Sequence, residues 1–260
     1  MLLKTILSRV SKLNVSISYD FQCQEKYGSR VNLENSCAVV IDVLRASTTI
    51  CTLIELCNKI YITDCIEKAN KIENSIKIGE RNGKKIDGFN FGNSPVELLS
   101  NKLEIKKYVE NGGNIVLTTT NGTRVLENIS SNYTLIGSIT NAKYVSKKAC
   151  EIAFKSNKDI TLVPAHRGGK FAIEDYICAG LIADYILKYS KEEIDSESFE
   201  GLIPSRTLTK TDWVRKVFES NSAKNLKILG YYEDILFSVS KNSQKSVGVY
   251  DKSLGIITSI

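Results

Sequence analysis

The chain has 260 residues, 42% of them apolar and 25% charged, enough for one large domain or two compact halves sharing a core. No stretch approaches the ~18 unbroken apolar residues of a membrane span. The net charge of +6 comes from dispersed lysines without an aromatic-basic stripe, so neither a membrane nor a nucleic acid is the expected partner.

The first residues, "MLLKTILSRVSK", are short, broken by Lys4 and Arg9, and lack the small-residue cleavage site of a signal peptide. Residues 1–12 read as an appended helix or tail on a single domain that spans 1–260. Seven cysteines, an odd number without CxxC spacing, argue for reduced thiols in a cytoplasmic protein rather than a disulfide framework or zinc cluster.

The pattern that follows is strand, polar turn, helix, repeated. "LNVSISYD" alternates apolar and polar residues, as a half-buried edge strand does. "CAVVID" is continuously apolar and predicts a strand covered on both faces. Ile50, Leu53, Ile54 and Cys57 then recur at helical spacing. "KIYIT" predicts a strand, and Asp64 with Glu67 a capping box for the next helix. "SIKIGE" predicts a strand ending in Glu80. "SPVE" at 94–97 predicts a helix start, with Ser94 as cap, Pro95 in the first turn and Glu97 reaching back. "NIVLTT", "YTLIGS" and "DITLVP" each run into a helix, residues 188–225 read as helical with loops, and "SVGVYDKSLGIITSI" reads as one or two closing strands. This alternation predicts a three-layer α/β/α sandwich, its sheet mainly parallel with some antiparallel strands, in two similar halves. In such folds the ligand sits outside the carboxyl ends of the strands.

Four of those ends carry reactive groups. The first gives Asp42, Arg45, Ser47, Thr48 and Thr49; the second Glu80, Arg81 and Asn82, followed by "GFNFGNSP" with Asn93 and Ser94. The third gives Thr119, Thr120, Asn121, Gly122 and Thr123; the fourth His166, Arg167, Glu174 and Asp175. Each has a plain alternative: Ser47 or Thr48 as a helix cap, "TTNGT" as a tight turn, Glu174 and Asp175 as complements of a helix dipole, His166 as a structural residue. Together they suggest more. Acids on three strand ends suit a hard cation such as magnesium, arginines suit a phosphate or sulfonate, and hydroxyls and glycines at helix starts offer N–H groups to the same anion. The Walker loop GxxxxGK[ST] is absent, as are the cysteine-arginine loop of tyrosine phosphatases, the Asp-x-Asp of haloacid dehalogenases and the "RHG" of histidine phosphatases. The lone histidine excludes an HExxH zinc site.

The blocks "VVIDVLRASTTI", "IGERNGKKIDGFNFGNSPVE", "LTTTNGTRVLE", "AHRGGKFAIEDYICAG" and "GYYEDILF" resemble one family, the 2-phosphosulfolactate phosphatases. The resemblance implies a magnesium-dependent enzyme that hydrolyses 2-phospho-3-sulfolactate to 3-sulfolactate and phosphate. The expected metal ligands are Asp42, Glu80, Glu174 and Asp175. Asp42, Arg45 and Arg167 are the expected catalytic groups, with the arginines gripping phosphate and sulfonate. Ser47, Thr48, Asn93, Ser94, Thr119, Thr120, Asn121, Gly122 and Thr123 are expected to position the anion. Whether Asp42 is itself the nucleophile or holds a metal that activates water stays open. So do two alternatives, a phosphatase of another small phosphorylated hydroxy acid and a non-catalytic binder of such acids. A homodimer is kept as an option.

Overall fold

The computed structural model describes residues 12–18, 33–168, 170–190 and 194–260. The expected N-terminal extension therefore lies outside the described residues, Lys12 excepted. Among the described residues, ten strands form one sheet: β1 (Val15–Ile17), β2 (Ser36–Ile41), β3 (Lys59–Ile62), β4 (Ser75–Arg81), β5 (Lys84–Lys85), β6 (Asn114–Thr118), β7 (Tyr133–Gly137), β8 (Asp159–Pro164), β9 (Gly248–Asp251) and β10 (Ile256–Ser259). Their order is β1-β8-β2-β7-β9-β10-β3-β6-β4-β5. Within the blocks β1-β8-β2-β7 and β3-β6-β4 every pairing is parallel. The β9–β10 hairpin pairs antiparallel with β7 on one side and β3 on the other, joining the blocks at the middle of the sheet. The sheet is thus mostly parallel, in two halves.

Among the described residues, eleven α-helices flank it: α1 (Ala46–Leu53), α2 (Ile66–Lys71), α3 (Pro95–Ser100), α4 (Lys102–Glu110), α5 (Gly122–Asn128), α6 (Ala142–Ser156), α7 (Ile173–Ser190), α8 (Ser196–Thr209), α9 (Trp213–Phe218), α10 (Asn221–Ile228) and α11 (Tyr232–Ser238). The three-layer reading rests on strand alternation. Cys37, Val39 and Ile41 of β2 pack with Val145 and Ala149 of α6 and Ile177 and Ile182 of α7. Ala38 and Val40, facing the other way, pack with Ile50 of α1, Leu98 of α3 and Val125 of α5. Every residue of β2 is buried, as its unbroken apolar sequence requires.

The second core also takes Ile60, Ile62, Ile78 and Leu117 from the other block. Both blocks therefore close on the same inner helices, so the sheet is curled. Six strand steps separate β2 from β4, and the hairpin makes them run in opposite senses. A right-handed twist of about 20–25° per step turns β4 by about 120–150° relative to β2. That rotation brings the carboxyl ends of both blocks to one side.

Helix α1 lies inside this curl, with all eight of its residues buried. The row of hydroxyls is explained by that position: buried hydroxyls must find partners, and all but Thr49, whose Oγ1 donates to Asn93 O at 3.5 Å, bond back to the local chain. Thr48 Oγ1 donates to Val43 O at 2.8 Å and Thr52 Oγ1 to Thr48 O at 3.0 Å.

Two expected caps resolve differently. Ser94 does cap α3, its Oγ accepting from Glu97 N at 3.1 Å, but the Glu97 carboxylate reaches Gly92 N at 3.0 Å instead of the cap. The Asp64–Glu67 capping box does not form. Cys65 takes the N-cap position of α2, and Glu67 accepts from its thiol at 2.9 Å.

Candidate active site

A cavity of about 470 Å³ opens where the strand ends converge. Asp42 follows β2, Glu80 lies near the end of β4, Thr120 and Asn121 follow β6, His166 and Arg167 follow β8, and Glu174 and Asp175 form the first turn of α7; all line it. Arg45 and Asn93 line it as well. Asn82, at the second strand end, lines it too, as do Gly83, Ser222 and Asn225, which sequence reading did not single out; Leu44, Gly168, Ala172 and Leu226 complete the wall.

Asp42 is held by α1. Its Oδ1 accepts from Ala46 N at 3.3 Å, and its carbonyl accepts from Ser47 N at 2.8 Å. Burial pushes its pKa up to about 7, with Glu80 and then Glu174 adding to the rise against the Ala46 N–H and the Arg45 charge. Asp175 is pushed well above the usual carboxylate range by burial, Glu174 and Asp42, although Val43 N donates to it at 2.8 Å. Among the described residues the Glu174 carboxylate, 3% exposed, has no hydrogen-bond or ion-pair partner. Glu80 is engaged on both oxygens. Thr120 N donates at 2.7 Å, Thr120 Oγ1 at 3.1 Å and Gly83 N at 2.7 Å, so it fastens two loops of the second block together.

Six residues expected to touch the anion do not line the cavity. Ser47 Oγ accepts from Asp42 N at 2.9 Å, closing the turn after β2. Thr48 Oγ1 lies 2.7 Å from Ser138 Oγ. Ser94 serves α3. Thr119 and Thr123 bond each other, Thr119 N to Thr123 Oγ1 at 3.0 Å and Thr123 N to Thr119 Oγ1 at 3.1 Å. In each case the short polar side chain fills an orphan backbone position nearby, which leaves it none to offer a ligand. Gly122 acts by what it lacks. A Cβ there would lie 2.5 Å from Ala46 Cβ and 3.0 Å from Asp42 Oδ2, so the glycine lets α5 close against α1 and Asp42. Gly122→Ala is expected to cost about 1–3 kcal/mol by overpacking, read as a lowered Tm; an unchanged Tm would show that the two helices have room to part.

Arg45 is also held. Nη1 meets Asp234 Oδ2 at 2.8 Å, with both side chains almost fully buried, and Nη2 donates to Gly83 O at 3.0 Å. Asp234 was not singled out in the sequence. It sits in "GYYEDILF", 189 positions from its partner, and no local pattern signals such a pair. Asn82 and Gly83 were legible: both have positive φ (53° and 81°) in the two-residue turn between β4 and β5, the preferred place for Asn-Gly. His166 is on the wall and is anchored, its Nδ1 accepting from Ala172 N at 3.4 Å.

The charge balance is telling. With Arg45 paired to Asp234, four carboxylates line the cavity against the Arg167 guanidinium, which has no ion pair among the described residues. Among the described residues, no three acidic, histidine or cysteine side chains are already gathered at cation-ligating distance. The surplus of buried acid still suits magnesium, which keeps several waters and needs only one or two direct carboxylates.

Buried acids at converging strand ends, with arginines at their edge, define a class of α/β protein that handles a small, highly charged ligand. The comparisons narrow the class. The sequence model of the 2-phosphosulpholactate phosphatase family matches residues 22–253, and the chain belongs to that family. It is 47% identical over 215 residues, 83% of this chain and 89% of the relative, to a 2-phosphosulfolactate phosphatase of Methanocaldococcus jannaschii. A probable 2-phosphosulfolactate phosphatase of Thermotoga maritima is 37% identical over 213 residues, 81% of this chain and 87% of the relative. One of Clostridium acetobutylicum is 32% identical over 248 residues, 92% and 97% of the two chains.

Proposed function

We propose that the protein is a magnesium-dependent phosphatase that hydrolyses 2-phospho-3-sulfolactate to 3-sulfolactate and inorganic phosphate in the cytoplasm. The observation that carries this reading is the family match over residues 22–253, which contains every residue of the cavity wall. Two further features support it. The six described cysteines are free thiols, as a reducing compartment favours. No described helix is long and apolar enough to cross a membrane.

Asp42, Glu174 and Asp175 would hold the cation, with Glu80 bracing the loops beside them. When bound, magnesium supplies the positive charge that lets a phosphate, sulfonate and carboxylate enter an acidic cavity and that stabilises charge building up on the phosphoryl oxygens. The protein's own groups do the rest. Arg167 and the free edge of Arg45 grip the acid groups. Thr120 and Asn121 orient the substrate from the third strand end, and the walls from α7 and α10 limit water.

The test is a phosphate-release screen over phosphorylated hydroxy acids, with and without magnesium. The 2-phosphosulfolactate should turn over fastest. A faster rate on an acid without sulfonate would reassign the substrate, and tight binding without release would make the protein a binder.

A further inference from the structure

We infer that Asp234 is a positioning residue whose carboxylate, together with the Gly83 carbonyl and the Tyr231 ring, forms a guanidinium seat that presents Arg45 to the substrate as a fixed anion fork. The inference rests on the reading of the cavity as a phosphorylated-acid site and adds how that site is set.

The geometry is over-determined. Arg45 immediately precedes α1, where its charge opposes the positive end of the helix dipole. Asp234 compensates that charge at 2.8 Å. Its other oxygen accepts from Ser94 Oγ at 2.7 Å and Val96 N at 3.3 Å, so the first turn of α3 fixes the carboxylate itself. The Gly83 carbonyl takes a second prong, and Glu80 fixes that turn in its place through the Gly83 N–H. The Tyr231 ring covers one face of the guanidinium, 4.2 Å from its centroid to the guanidinium carbon. A guanidinium carries five N–H donors. The two described bonds each use one, the others have no partner among the described residues, and the residue lines the cavity.

A buried ion pair adds little stability over an apolar packing of the same volume. It does add orientation, and donors fixed before the substrate arrives cost no reorganisation when charge develops. Two separated stretches of chain (residues 83 and 231–234) meet one planar cation at the edge of the cavity and a third (94–96) fixes its carboxylate partner, which is more than a structural strut needs.

The experiment is chemical rescue. Arg45→Ala should lose on the order of 10²–10³-fold in kcat, the size of removing one preorganised donor group. Millimolar guanidinium should then refill the seat and restore on the order of tenfold of that loss, the gain of a charge-assisted, two-pronged contact. Methylammonium, a cation without the planar fork, should not. In Arg45→Ala/Asp234→Asn the rescue should vanish. Binding of inorganic phosphate, read as a rise in Tm, is followed in the same variants with and without guanidinium. Failure of the parent protein to release phosphate from any substrate would sink the functional reading and leave the seat to be judged on this binding. The inference is overturned if guanidinium fails to rescue while the parent turns over, if methylammonium rescues equally, or if rescue survives loss of the Asp234 charge. Should the double variant not fold, the comparison of guanidinium with methylammonium in the single variant decides alone.

Discussion

Asp42→Asn is expected to lose turnover by on the order of 10³-fold or more, while the folded protein gains stability at neutral pH. The substitution keeps the side-chain shape and an oxygen for the Ala46 N–H, so the turn after β2 is preserved. What it removes is a negative charge that burial, Glu80 and Glu174 all oppose. In the metal-free protein that charge is a burden; under the proposed function it is the charge that would hold the cation or attack phosphorus. Activity and stability should therefore move in opposite directions, as is common where function demands a locally unfavourable arrangement. Phosphate release and a thermal melt, each on metal-free and magnesium-loaded samples, make the check. Unchanged turnover in a folded variant would return Asp42 to the role of a turn residue.

The second large effect is expected from chelation. EDTA should abolish phosphate release and magnesium should restore it. Because the folded pKa of Asp42 is raised to about 7 from 3.8, the folded state binds more protons than the unfolded state between those values. Stability of the metal-free protein should then fall as pH rises through that window, with Asp175, shifted the same way, adding to the slope. Magnesium should flatten the decline by replacing the protons, and Asp42→Asn should remove part of it. A metal-free protein whose Tm is level across this range, and whose activity survives EDTA, would refute the assignment of these acids.

How much of this was legible in the sequence differs by feature. The strand "CAVVID", the edge strand near residue 15 and the helix starting at Ser94 follow from local rules of burial and capping, and the structure contains them. The convergence of Asp42, Glu80, Arg167, Glu174 and Asp175 on one cavity follows from placing acids and arginines at strand ends. The hydroxyls were harder. A threonine after a strand looks the same in sequence whether it bonds a ligand or its own backbone, and only the burial of α1 within a curled sheet separates the two for Ser47 and Thr48. Asp234 was out of reach for a different reason. Its partner is fixed by how the C-terminal helices dock over the cavity, a long-range outcome with no short-range signature. The antiparallel sense of the two halves was likewise hidden, since it depends on where the closing strands insert.

That insertion has a consequence for the order of events in synthesis. Asp42 and α7 belong to one block, Glu80 and Thr120 to the other, and within the described sheet only the β9–β10 hairpin connects the two by hydrogen bonds. Every residue of the cavity wall, from 42 to 226, has been synthesised before residues 248–259 are made. The emerging chain can build each parallel block by itself, but the register between them waits for a clasp that lines no part of the cavity. Loss of that hairpin, by a late frameshift or a trimmed terminus, would leave every residue of the cavity wall encoded and two half-sheets joined only by the shared core and loop contacts, with no hydrogen-bonded strand between them.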